Sequence, residues 1–121
     1  MTFRVFGNIK YPVPGIDTVM DVLRPGAKYE INGNKFVRWQ DPSGKNPPTW
    51  NEVMEETKKQ EEIHDYYEYE REREKSFPHP MDQLDMIYHD LEGWRKEIKK
   101  IKDKFPKPEG PEPDLTPYIN N

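Results

Sequence analysis

The residues that could do chemistry in this chain are few, and one pair has the spacing of a metal-binding motif. Glu61 and His64 are three residues apart, which places both side chains on one face of a helix. Di-iron helical bundles use two such Glu-x-x-His motifs together with two more glutamates, whereas this chain has a single copy. We therefore interpret the pair as part of a solvated helix face and predict no metal or other cofactor.

A second candidate is the acidic set around Asp82 and Asp85. Paired carboxylates could serve acid–base catalysis or, with Asp90 and Glu92, bind calcium. The sequence has no EF-hand pattern at this point, and hydrolytic carboxylates need a cleft that so small a chain can hardly build. Acidic residues in the first turn of a helix are stabilised by the helix dipole, which is the interpretation we adopt. We expect a protein that is not an enzyme.

The composition favours binding over catalysis. Of 121 residues, 35% are charged, 32% are apolar and 13 are proline, which leaves little material for a packed core. The net charge of -4 argues against nucleic acid as a partner, and the lysines from Lys96 to Lys104 have no aromatic neighbours placed to stack on bases. No apolar run is long enough to span a membrane. The expected partner is another protein or a second copy of this chain.

Residues 1–48 are predicted to form a small β-rich unit. Phe3–Tyr11 alternates loosely between apolar and polar residues and indicates one short strand. Ile16–Leu23 has apolar residues at the spacing of one helical face, which predicts a two-turn helix.

A β-hairpin is predicted over the run from Lys28 to Trp39. The dipeptide Asn32-Gly33 separates two apolar runs, the pattern of a two-residue hairpin turn. The register stays open, because either Phe36 or Val37 could share a face with Trp39.

Residues 49–105 are predicted to form a helical arm. Thr49 and Glu52 have the spacing of a capping box, so a long helix should begin there and continue to about Lys75. From Glu52 to Lys75 it carries ten acidic and five basic residues, with almost nothing apolar in its middle. A helix that is polar all round either bridges two packed ends or packs within an assembly.

The rest of the arm is predicted to be a helical hairpin followed by an extended tail. Prolines interrupt the long helix, and Met81–Leu91 then forms a second helix with Leu84, Ile87, Tyr88 and Leu91 on one face. Gly93 permits a bend after it. The run from Trp94 to Phe105 carries the cleanest amphipathic stripe in the chain. Residues 106–121 are Pro-rich and extended. The fold class is therefore α+β, with a β-hairpin unit and short helix, a long charged helix, a helical hairpin and a tail.

Large side chains that one small core cannot bury together are the candidates for partner binding. Adjacent tyrosines point to different sides of a helix, and a tyrosine suits surfaces that are apolar at one end and wet at the other. The alternative is that these rings pack against the helices of the hairpin. The predicted partner-binding residues are Tyr66, Tyr67, Tyr69, Trp94, Leu115, Tyr118 and Ile119.

Several short runs occur in a characteristic order and spacing. In the first half they are Val22–Tyr29, Val37–Asp41 and Pro47–Thr49. In the second half they are Tyr69–Arg73, Phe77-Pro78, Asp82–His89, Trp94 and Ile98–Pro108. Together they resemble small proteins encoded beside tail-fibre genes in tailed bacteriophages, common in marine and cyanobacterial phages. The resemblance extends from about Asp21 to Pro108, and the segments outside that range match no part of the family pattern.

The resemblance implies a non-enzymatic protein of the phage tail. Such proteins are described as tail-fibre assembly or tail assembly chaperone-like proteins. The expected function is binding to a tail or tail-fibre protein, as a structural part of the virion tail that is assembled in the host cytoplasm. The alternative is a transient tail-fibre assembly chaperone that is absent from the mature particle.

Overall fold

The computed structural model describes residues 3–6 and 9–119, and its fold is α+β, as the sequence predicts. Two strands, β1 (Phe3–Phe6) and β2 (Ile9–Pro12), precede helix α1 (Ile16–Leu23). A second strand pair, β3 (Lys28–Asn32) and β4 (Lys35–Gln40), precedes four helices. These are α2 (Trp50–Tyr66), α3 (Glu68–Ser76), α4 (Pro80–His89) and α5 (Leu91–Lys104), and a 3-10 turn follows at Thr116–Tyr118.

The chain divides into two compact units. Unit 1 contains the residues up to Asp65 together with those from Glu112 onward, and unit 2 contains Tyr66–Pro111. The predicted division after residues 48 and 105 differs from this one in two respects. Most of α2 belongs with the β-hairpins, because its buried face continues their core, and the end of the tail returns to unit 1.

The first segment is a hairpin instead of the single strand that the sequence indicated. β1 pairs antiparallel with β2, and Phe6 lies opposite Ile9. Two residues, Gly7 and Asn8, separate these partners and lie outside the described residues. Gly-Asn is itself a dipeptide of two-residue hairpin turns, a signal that the loose alternation from Phe3 to Tyr11 concealed.

The second hairpin is confirmed, although its turn residues are Gly33 and Asn34 instead of the predicted Asn32 and Gly33, and a bulge sets its register. Gly33 has a φ of 64°, which favours glycine, and stands first of the two turn residues between Asn32 and Lys35. Ile31 then pairs with Phe36, whereas Glu30 pairs with Arg38, so Val37 is the extra residue of a β-bulge.

The bulge decides which aromatic rings lie together. Phe36 and Trp39 are three residues apart and would point to opposite faces of a regular strand. The extra residue brings both to one face with Tyr29, and the Phe36 and Trp39 ring centroids are 5.4 Å apart. Val37, the alternative that the sequence left open, is 53% exposed.

The aromatic face of the second hairpin packs against a small core in unit 1. Val19, Met20 and Val53 are buried, and Tyr29, Phe36, Trp39, Trp50 and Leu23 pack against them. The Trp39 indole N–H donates to the Lys45 carbonyl at 2.8 Å, which fixes the loop before α2. Trp39 and Trp50 therefore act as the anchors of this core.

Helix α2 begins with the predicted capping box. The Glu52 amide donates to Thr49 Oγ1 at 3.2 Å, and the Thr49 amide donates to Glu52 Oε1 at 3.2 Å. These reciprocal bonds satisfy two backbone donors that the first helical turn leaves without partners.

The long helix is interrupted at Tyr67, although the sequence predicted a single helix to about Lys75. Tyr67 has a φ of -89° and a ψ of 10°, outside the helical values, and separates α2 from α3. Its ring is buried and lies in a cluster with Tyr66 and Tyr69, with centroids 5.0 to 6.4 Å apart. The helix breaks where this aromatic cluster packs.

In unit 2, α4 and α5 form the predicted helical hairpin, joined by the single residue Asp90. His79 caps α4, because its Nδ1 accepts from the Met81 amide at 3.2 Å, and Pro80 follows at the first helical position. The Asp90 carboxylate caps α5 by accepting from the Gly93 amide at 2.9 Å. The turn between the helices lies at Asp90, so the sequence placed it slightly late when it assigned the bend to Gly93.

Candidate partner-binding surfaces

The main apolar surface of unit 2 is on helix α4. Met81, Leu84 and Tyr88 recur at the spacing of one helical face and are 67%, 61% and 85% exposed. Leu91, the first residue of α5, is 41% exposed. We call these four residues the α4 stripe. The sequence placed Leu84, Tyr88 and Leu91 on one helical face with Ile87; in the structure Ile87 is half-buried and the other three are exposed.

A hollow beside the α4 stripe has three acidic residues among the seven that line it. It has a volume of about 460 Å³ and lies in the angle between α4 and α5. Its charged and titratable lining residues are Asp85, His89, Asp90 and Glu97, and Met86 and Trp94 form its apolar wall. Asp85 also lies close to His89, with 3.3 Å between Oδ1 and Nε2.

Trp94, a predicted partner-binding residue, holds the hairpin together. Its indole N–H donates to Gln83 Oε1 at 3.1 Å, and the Gln83 amide group donates to the Pro78 carbonyl at 2.8 Å. The ring is half-buried, so one part of it packs between the helices while another lines the hollow. Trp94 therefore positions α4 relative to α5 and contributes to the candidate surface.

The far end of the hairpin is fixed by Arg73 on α3. Its Nε donates to the Phe105 carbonyl at 2.8 Å, and a terminal guanidinium nitrogen donates to the Lys102 carbonyl at 3.3 Å. The last carbonyls of a helix have no partners within the helix. One arginine thus caps the C-terminus of α5 and connects it to α3, so unit 2 presents α4 on a braced scaffold.

The three clustered tyrosines differ in exposure. Tyr67 is 2% exposed, whereas Tyr66 and Tyr69 are half-buried. The guanidinium of Arg73 lies 5.0 Å from the centroid of the Tyr69 ring, within the range of a cation–π contact. These contacts give the cluster a packing role, and partner binding by its half-buried members stays a prediction.

In unit 1, Tyr118 of the tail is buried against α2. It is 3% exposed, and its hydroxyl donates to Glu56 Oε1 at 2.8 Å. Gln60 Nε2 donates to the same oxygen at 3.1 Å. Burial, followed by the hydrogen bond to Glu56 and the charge of that carboxylate, raises the pKa of Tyr118 far above its usual value.

The other tail residues predicted to bind a partner flank this contact. Leu115 is half-buried and Ile119 is 65% exposed. The Thr116 amide donates to the Asp114 carboxylate at 2.9 Å, which starts the 3-10 turn. The hydrogen bond from the Thr116 side chain, followed by this bond from its backbone amide, lowers the pKa of Asp114. The turn brings Tyr118 into the core and leaves Ile119 at the surface.

Sequence reasoning missed the buried polar stripe of α2. Val53, Glu56, Gln60 and Ile63 are all less than 8% exposed and follow helical spacing along one face. Val53 and Ile63, the apolar residues at its two ends, show which face of α2 is buried. Their spacing was the sequence signal that could have placed Glu56 and Gln60 on the same face. Nothing local showed that a tyrosine from the tail would donate a hydrogen bond to Glu56.

Unit 1 also has a shallow apolar groove. It has a volume of about 490 Å³ and is lined chiefly by Ile16, Ile31, Trp50 and Met54, with Glu61 among its polar residues. Ile16 and Met54 are 43% and 55% exposed. The groove is a second apolar surface, smaller in exposed side chains than the α4 stripe.

The residues considered for metal chemistry are dispersed. His64 lies edge-on to the buried Tyr11 ring, with 6.3 Å between the ring centroids. Within the described part of the chain, no group of three or more His, Cys, Asp or Glu side chains could hold a metal ion. Among the same residues, no helix has the length and apolar character needed to cross a membrane.

Comparison with protein-family models, curated proteins and solved structures gives no significant match to this chain. The structure therefore defines a fold class for this chain, that of a small α+β protein with two compact units.

Proposed function

We propose that this chain is a non-enzymatic binding protein that uses the helical hairpin of unit 2 to contact a larger protein. The observation that carries the proposal is the α4 stripe: three large apolar side chains on one face of α4 are 61–85% exposed, and Leu91 at the start of α5 is 41% exposed. Exposed apolar surface of this kind marks interaction sites in small soluble domains. Trp94, Gln83 and Arg73 hold the helices that present it, so the surface is formed before a partner arrives.

We further propose that the partner is a tail or tail-fibre protein of a tailed bacteriophage and that the chain remains in the virion tail. The support is the resemblance in the order and spacing of its short runs. The resemblance includes Asp82–His89, the run that carries Leu84 and Tyr88 of the α4 stripe. A structural role also fits the small core, because a protein that functions within an assembly gains stability from its neighbours.

The test is quantitative mass spectrometry of gradient-purified particles of a phage that carries this gene. A fixed copy number in simple ratio to the tail proteins supports a virion component. If the protein is abundant in the lysate, is needed for soluble fibres and is absent from particles, it is a transient assembly chaperone. Absence from particles with normal fibres overturns both forms of the proposal.

A further inference from the structure

The α4 stripe and the hollow beside it form one surface with two different chemical characters. Asp85 joins them, since it follows Leu84 on the helix and lines the hollow. At 100° per residue, Asp85, His89 and Asp82 border the stripe on one side, and α5 lies on the other. A partner that covers the stripe therefore also meets carboxylates.

The charge of this surface has one sign. From Ser76 to Trp94 the chain has four acidic residues, Asp82, Asp85, Asp90 and Glu92, and no lysine or arginine. Among the described residues, no lysine or arginine lines the hollow. The nearest arginine in sequence, Arg95, pairs with Glu92 at 3.0 Å. Of the described residues that line the hollow, His89 is the only one that can become cationic, and it lies beside Asp85.

From this juxtaposition we infer that the α4–α5 surface binds a basic amphipathic segment of a partner protein. Apolar side chains of the segment cover the α4 stripe, and a lysine or arginine enters the hollow between Asp85 and Glu97. The Trp94 ring in the hollow wall adds a face on which a guanidinium can stack. The inference deepens the proposed function and rests on it for the existence of a protein partner.

The same charges argue against a second copy of this chain as the occupant. In a two-fold symmetric dimer the same patch faces itself, so the carboxylates of α4 would face one another with no lysine or arginine between them. The exposed basic side chains of α5 could offset that charge. However, the apolar stripe of α5 leaves little exposed surface for a second copy to contact, because Ile101 is buried and Trp94, Ile98 and Phe105 are half-buried.

The test uses a fluorescent synthetic peptide as the probe. The peptide has about 14 residues, or four helical turns, with leucine on one face and lysine on the other. A twin peptide has glutamate in place of every lysine. Fluorescence anisotropy with the whole chain should show binding of the lysine peptide that weakens as salt screens the charges. The glutamate twin should not bind.

Two sets of variants locate the site. Leu84→Ser combined with Tyr88→Ser should weaken binding about tenfold or more, because apolar burial is lost without a change in charge. Asp85→Asn combined with Glu97→Gln should weaken it about fivefold. The matched control, Glu61→Gln combined with Glu62→Gln, makes the same change in net charge on exposed residues of unit 1 and should leave the affinity unchanged. Circular dichroism confirms that each variant is folded.

Three outcomes overturn the inference. The first is equal binding by the parent and the α4 variants, and the second is a loss of binding only in the Glu61 and Glu62 control, which would place the site at the unit 1 groove. The third is concentration-dependent dimerisation, measured by sedimentation, that the Leu84 and Tyr88 changes abolish. These outcomes overturn the α4–α5 binding site and leave the proposed function standing, because a virion component could bind its partner through another surface. The proposed function itself is tested separately, by mass spectrometry of purified particles.

Discussion

The Tyr118 hydroxyl donates to Glu56 Oε1 at 2.8 Å, across 62 residues of sequence. Both residues are nearly inaccessible to solvent, and the buried amide of Gln60 shares the same carboxylate oxygen. A charged group removed from water needs hydrogen bonds to replace its hydration. The tail thus adds a second buried donor to the one that α2 provides through Gln60. Tyr118, chosen from sequence as a partner-binding residue, has an internal role in unit 1.

Removing this hydroxyl should destabilise unit 1. Tyr118→Phe keeps the ring and removes the donor, so we expect the free energy of unfolding to fall by about 1–2 kcal/mol. Urea denaturation followed by tryptophan fluorescence measures the change. Tyr88→Phe is the matched control, because Tyr88 is 85% exposed and should tolerate the same change without loss. Equal stability of Tyr118→Phe and the parent would contradict the role assigned to the bond.

The contribution of Tyr118 should also depend on pH. Its pKa is raised in the folded chain by burial first and by Glu56 second, so the folded state favours the protonated ring. The stabilisation is therefore fully present below the usual tyrosine pKa of about 10 and is lost as the pH rises above it.

The measurement is the difference in unfolding free energy between the parent and Tyr118→Phe from pH 8 to 11, as far as the parent stays folded. We expect a constant difference up to about pH 10 and a smaller one above it. The pKa of Tyr29 is also raised, by burial and then by Asp21 and Asp17. Both proteins therefore lose stability at high pH, and the difference between them isolates Tyr118. A difference that grows with pH would contradict the prediction.

Deleting Val37 should leave the second hairpin intact. Val37 is the extra residue of the bulge, and its removal pairs Phe36, Arg38 and Trp39 in regular alternation with β3. The aromatic face should survive with a loss of less than about 1 kcal/mol. Deletion of Glu30 is the control, because it makes Tyr29 and Ile31 neighbours on opposite faces and should cost about 2 kcal/mol. Near-ultraviolet circular dichroism and thermal unfolding distinguish the two deletions.

Arg73→Gln should loosen the end of α5. The change removes the donors to the Phe105 and Lys102 carbonyls, so we expect a loss of about 1–2 kcal/mol. Amide hydrogen exchange should accelerate in the last turn of α5. Lys75→Gln removes a positive charge from the same helix, where the side chain forms an exposed pair with Glu72, and should have little effect. Similar exchange in both variants would count against the cap.

Gly93→Ala should be destabilising, although alanine is usually the better helix former by about 1 kcal/mol. A Cβ atom at Gly93 would collide with the Asp90 carboxylate that caps α5. The expected loss is about 1 kcal/mol, the usual value of an N-cap. In the background of Asp90→Ala the same substitution should become neutral or stabilising. If Gly93→Ala has the same effect in both backgrounds, the collision does not decide its stability.

Local patterns predicted most of the elements and few of the contacts between them. The second hairpin, α1 and the capping box at Thr49 depend on neighbouring residues, and each forms as expected. The bulge at Val37 depends on which rings meet the core, so the alternation of the strand alone could not set it. The break at Tyr67 likewise occurs where three rings pack, against a sequence that locally favours helix.

The exposure of the candidate surface on α4 could not be predicted from the sequence either. Helical spacing placed Leu84, Ile87 and Tyr88 together, but an apolar face carries no information about what covers it. In the structure Ile87 is half-buried, whereas Leu84 and Tyr88 are exposed to solvent. The contact between Tyr118 and Glu56 had no local signal, because its two residues gain a common environment only when the chain folds.

Unit 1 is built from two separate stretches of sequence, so the chain is suited to fragment complementation. Its two stretches, residues up to Asp65 and from Glu112 onward, are joined covalently only through unit 2. A single cut near Gly110, for example at an inserted protease site, would convert unit 1 into a non-covalent complex between a large fragment and a short peptide. Retention of that peptide would then depend on Tyr118 as its anchor. The C-terminal segment could accordingly be exchanged for a labelled synthetic copy, which would report fragment complementation directly.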